Sequence, residues 1–221
     1  MTVSPAQLRK ARSIAMLEQR GIPTVDWLPI IGEVEESHRR TTEEVARRAL
    51  ALAIVATKGS GHATDPPEDV AAFVPDLVDR FGVTPDLTPD ERIFMDTFEP
   101  REFDYVQFAW RYEACWVLMW SLGFVDRLEF PAGICDISVL IGIIMNRGRD
   151  GFIGDAQLRP QEAIFDETDF IFRLHWATRD ADLKGGAVEG VEPGVVMERH
   201  HALNWLADES DIGWDDVSTP T

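Results

Sequence analysis

Apolar residues recur along the chain at the three-to-four-residue spacing of helices, and the punctuation between the runs is proline, glycine and acid. Ser4 and Pro5 make a cap and first turn, and Leu8, Ile14 and Leu17 outline a modestly amphipathic helix closed by Gly21. Residues 22–40 carry Pro23 and Pro29 and few helically spaced apolar positions, so they read as an ordered surface connection. Thr41 and Glu44 form a capping box, from which Val45, Leu52, Val55 and the intervening alanines carry a helix to Lys58, with Gly59 as its stop. Residues 60–88 are rich in proline and acid, which predicts a flexible connection holding one or two brief helices over 70–81. Thr88, Pro89 and Glu91 repeat the capping pattern and predict a short helix to about Phe98.

The stretch 104–123 contains Trp110, Trp116 and Trp120 and is apolar on every side after Glu113, as expected of a helix surrounded by others. Residues 137–146 read as another apolar helix, 147–154 as a loop, 161–183 as a long amphipathic helix, 185–194 as a flexible connection, 195–207 as the last helix and 208–221 as an acidic tail. No internal repeat, sustained heptad or period-two pattern competes with this reading. The expectation is an all-α chain, a single compact multi-helix domain over 1–221 around a Trp-rich central helix. At most a minor β ribbon is expected, within 127–136.

Charge narrows the partners. The 221 residues include 39 acids against 21 bases, a net charge of −18, which repels phosphate backbones and argues against nucleic acid. The longest apolar runs, 114–125 and 137–145, fall short of the roughly 20 residues that span a bilayer, so no membrane association is expected. The first dozen residues lack the apolar stretch of a secretory signal. Cys115 and Cys135 both lie in apolar surroundings, where thiols are usually inert, and a reducing cytoplasm fits best; a disulfide between them is the minor alternative.

The polar residues embedded in the most apolar helices are the candidates for chemistry. Glu113 stands among Trp110, Trp116, Val117 and Trp120 at helical spacing, and such a carboxylate needs a partner, for which Arg173 is the cross-helix choice. Asp169, four residues before Arg173, is placed to brace it. His175 falls on the apolar side of its helix, and His200 and Asn204 share a face with Val196 and Leu203. The sharper hypothesis gathers Glu113, Arg173, His175, His200 and Asn204 in one cleft as a catalytic cluster; the plainer one makes them a structural ion-pair and hydrogen-bond network. Glu198 with His201, and Glu35 with His38, have the E-x-x-H spacing of carboxylate-bridged metal sites, but such a site also needs two further glutamates on neighbouring helices and Glu35–His38 falls in a predicted connection, so no metal is assigned. Lys58 to His62 reads KGSGH without the spacing of a phosphate loop, no nucleophile elbow occurs, and no cofactor is implied. Trp27 and Trp214 lie in polar surroundings, as anchors or interface residues.

In combination, WRYEACWVLMWSLG, RLHWATRDA and ERHHALNWL resemble domain of unknown function family 4272, and the likeness extends to RSIAMLEQRGIP, RRTTEEVARRALALAIVA and GWDDV, covering about 12–217. The resemblance implies a stand-alone bacterial domain with no assigned reaction, and Arg111, Glu113, Arg173, His175, Glu198, Arg199, His200 and Asn204 match its characteristic polar positions. Two functions follow as expectations. The first is an acidic helical binding or regulatory module engaging a basic protein partner; the alternative is a hydrolase- or transferase-type enzyme with a histidine base beside Glu113 and an arginine anion clamp. A closed network around the histidines favours the module, and an open pocket with His175 and His200 on its wall favours the enzyme.

Overall fold

Three capping boxes open three of the helices. Ser4 Oγ accepts from the Gln7 N–H while Gln7 accepts from the Ser4 N–H, and Thr41 with Glu44 and Thr88 with Glu91 make the same reciprocal pairs. The computed structural model describes every residue except 1, 2, 35–38, 209 and 211, and among the described residues it contains helices and turns but no strand. The ribbon allowed for within 127–136 is therefore not formed. Among the described residues nine α-helices follow one another: α1 Pro5–Glu18, α2 Thr42–Thr64, α3 Pro67–Phe81, α4 Pro89–Asp96, α5 Glu102–Ala109, α6 Arg111–Ser121, α7 Ile137–Asp155, α8 Gln161–Leu183 and α9 Pro193–Ala207. They gather into two compact units. One comprises Met1–Arg40, Glu129–Ile134 and Arg159–Thr221, and the other Thr41–Leu128 and Cys135–Leu158.

In the second unit α2 occupies the middle and packs against α3, α5, α6 and α7. Ala46, Ala49, Ala51, Ala53 and Ala56 are all buried, which lets neighbouring helices approach closely. Gly59 and Gly61 do not stop this helix. A Cβ on Gly59 would lie 2.6 Å from both the Ala109 nitrogen and the Tyr105 oxygen, so the glycine is the contact that seats α5. The weak helix propensity of glycine, about 1 kcal/mol below alanine, is outweighed by that packing. Three further boundaries differ from the sequence reading. Residues 67–81 form one 15-residue helix; the Trp-rich stretch divides into α5 and α6 at Trp110; and residues 147–154 remain helical around a break at Gly148, where φ is +65°. Arg48 and Glu91, both buried, pair within this unit, and the Glu91 carboxylate also completes the cap of α4.

The first unit is built on α8, which packs against α1 and α9. Arg40 crosses it at 4.0 Å over the Trp205 ring and donates to the Trp205 and Ile212 carbonyls, both at 2.8 Å. Trp214 lies in a short 3₁₀ turn against Trp205 and is buried, so that part of the acidic tail is anchored to α9. Trp27 is 69% exposed and meets the edge of Trp176.

Candidate functional site

Helix α8 buries Asp169, Arg173 and His175. Arg173 and Asp169 stand one turn apart and are essentially solvent-free; Nε and Nη2 of Arg173 donate to the two carboxylate oxygens at 2.9 and 2.7 Å, and Nη2 also donates to the Pro29 carbonyl at 3.1 Å. Arg173 thus takes its carboxylate from its own helix, where Glu113 had been the expected partner. This fork is a charge-neutral brace rather than an open anion clamp.

Half a turn further on, His175 faces His200 of α9, with Nδ1 to Nδ1 at 2.7 Å and the ring planes 89° apart. They are 6% and 1% exposed. A hydrogen bond between two neutral imidazoles requires one to carry its proton on Nδ1 and the other on Nε2. Burial pushes His175 down to about 4, helped by Arg179, and pushes His200 down to about 3, helped by His175 and His201. Phe172 lies against the His200 ring at 5.8 Å.

The remaining sequence candidates have separate engagements. Asn204 donates from Nδ2 to the Ser218 carbonyl at 2.9 Å, and Arg199 donates to the Glu129 carbonyl at 2.6 Å. His201 has Nε2 3.1 Å from the Trp214 carbonyl and its ring against that indole, while Glu198 is buried. Glu35 and His38 lie outside the described residues. Among the described residues no three His, Cys, Asp or Glu side chains gather as a metal-ligand set. In the second unit, buried Glu113 accepts from the Cys135 N–H. Cys115 and Cys135 are both free thiols, and burial pushes Cys115 up, away from its reactive thiolate form.

One feature escaped the sequence reading. A cleft of about 410 Å³ opens between α4 and α5, walled by Ile93, Phe94 and Phe108 and rimmed by Asp90, Glu99, Arg101 and Asp104. Phe94 and Phe108 stack at 4.2 Å between centroids. From within, buried Lys58 donates to the Phe94, Met95 and Thr97 carbonyls at 2.8–2.9 Å, closing the C-terminal end of α4. Desolvation lowers the Lys58 pKa, opposed by Asp96. The signal available in the sequence is the alternation of acids with Ile93, Phe94, Phe98 and Phe103, but its meaning depends on α5 turning back over α4.

The family described as Domain of unknown function (DUF4272) matches residues 9–217 of the 221. The chain belongs to DUF4272. No curated protein and no solved structure matches this DUF4272 chain. No helix among its described residues is long and apolar enough to cross a membrane. In this chain the inward histidines form a mutually satisfied pair, and bases with pKa values this far below neutrality accept protons weakly at pH 7. What the pair does in this DUF4272 fold is tie α8 to α9 through one hydrogen bond.

Proposed function

We propose that this DUF4272 protein is an acidic helical binding module that engages a basic protein partner. The observation that carries the reading is the unequal use of charge. Arg9, Arg40, Arg48, Lys58, Arg173 and Arg199 are all buried, whereas among the described acids only Glu91, Glu113, Asp169 and Glu198 are. Bases are scarcer to begin with, so drawing this many inward leaves the outside more acidic, relative to its area, than the net −18 of the chain. Such a surface steers cationic partners toward it and repels phosphate backbones.

What supports this over a hydrolase or transferase is the state of the polar candidates. Arg173 is neutralised by Asp169, and His175 and His200 hydrogen-bond to each other under burial. The plainer reading of Glu113, Arg173, His175, His200 and Asn204, as structural groups that set helix register, fits those partners. The test immobilises the full chain beside an unrelated folded protein of equal net charge and compares proteins captured from the source cells at 50 and 500 mM salt. A basic partner retained by this chain alone and released by salt is expected; capture indistinguishable from the control overturns the reading.

A further inference from the structure

We infer that the cleft between α4 and α5 is where the basic partner docks, and that it receives a lysine or arginine side chain of that partner. This rests on the proposed binding function and assigns it a place. The cleft offers the two surfaces that a long cationic side chain requires. Its wall is apolar, with the Phe94–Phe108 stack beneath and Ile93, 69% exposed, beside it, which suits an aliphatic stem. Its rim is acidic, which suits the cationic head.

The charge at the rim is unspent. Arg101 is the one base among the lining residues, and its guanidinium is held on Asp104 by two hydrogen bonds of 2.7 and 2.9 Å. Asp90 and Glu99 are exposed, and neither has a hydrogen-bond or ion-pair partner among the described residues. The carbonyl end of α4, itself attractive to cations, is already taken by Lys58, so an incoming cation is met by these two carboxylates. Lys58 also supplies an internal precedent, since its ammonium lies 5.2 Å over the Phe94 ring. Phe98, Phe103 and Val106 on the same stretch are exposed as well, which extends the apolar surface available to a protein partner beyond one side chain.

The experiment titrates the full chain with hexalysine at low salt by calorimetry, alongside the unrelated protein of equal net charge. Asp90→Asn with Glu99→Gln removes the unspent rim charge, and Asp76→Asn with Asp79→Asn removes the same charge from the exposed side of α3 as a control. Ile93→Lys places a resident cation at the cleft. The expected result is an affinity about tenfold weaker for the rim pair, the amount two partly exposed ion pairs supply together. The α3 pair should change it less than twofold, and Ile93→Lys should weaken it at least as much as the rim pair. Equal weakening by the two charge pairs overturns the cleft assignment while leaving the acidic-module reading standing. Wild-type binding no tighter than the control protein's overturns both. Spermine binding more tightly than hexalysine, with the same dependence on Asp90 and Glu99, overturns the peptide assignment in favour of a small polyamine.

Discussion

Acidifying the protein from pH 7 to pH 5 should lower its stability through the His175–His200 pair while leaving both folded rings largely neutral. Both folded values, about 4 and about 3, lie below the ordinary 6.5 expected when the chain is unfolded. The unfolded state therefore binds protons first as the pH falls, and the stability that the pair contributes is complete above 6.5 and declines from there toward the folded values. A pH of 5 lies about 1.5 units below 6.5 and above both folded values, and at about 1.4 kcal/mol per unit this amounts to about 2 kcal/mol per histidine, or about 4 kcal/mol for the two. Carboxylates titrate in the same range, so the quantity to measure is a difference. Urea unfolding at pH 7 and pH 5, on the wild type and on a His175→Gln/His200→Gln variant, isolates it. The wild type should lose about 4 kcal/mol more than the variant. An NMR titration of the native imidazoles is independent of whether the variant folds. Equal losses in the two proteins, or either native ring titrating at or above pH 6, would refute the reasoning.

Three further outcomes follow from packing. Gly59→Ala places a methyl 2.6 Å from α5 backbone atoms and should destabilise by about 1–3 kcal/mol, whereas Gly142→Ala, in open space within α7, should stabilise by about 0.5–1 kcal/mol; urea unfolding of both variants checks the contrast. Asp169→Ala strands the buried Arg173 guanidinium and should cost about 3–5 kcal/mol in the same assay, and a loss below 1 kcal/mol would show that the fork is expendable. Cys115 donates to the Ala49 carbonyl and is fully buried, so iodoacetamide at pH 8 should leave it unlabelled in the native chain and label it in urea, as read by peptide mass spectrometry.

Much of the helical plan was legible because local chemistry decides it. The caps at Ser4, Thr41 and Thr88 depend on residues three apart, and α8 begins and ends where its proline and lysine neighbours suggest. The failures are places where a distant segment decides. Gly59 and Gly61 look like a stop until α5 and α3 are seen to lie where side chains would be. At the candidate site, the inward placement of His175 and His200 followed from periodicity, and so did the Asp169 brace on Arg173. That the two rings answer each other did not, because spacing within α8 and within α9 carries no information about their mutual register. The α4–α5 cleft was invisible for the same reason.

The alternation of the two units along the chain has a consequence for synthesis. The second unit ends at Leu158, so a ribosome that has passed that point has synthesised everything the unit contains. Helix α1 emerges before that unit but packs on α8, which begins at Gln161. At about 5–20 residues per second, α1 waits roughly 7–30 s with Leu17 and Ala6 uncovered before its partner exists. Helix α1 is thus made before the second unit and housed after it, which in a nascent chain makes it the natural client of a chaperone.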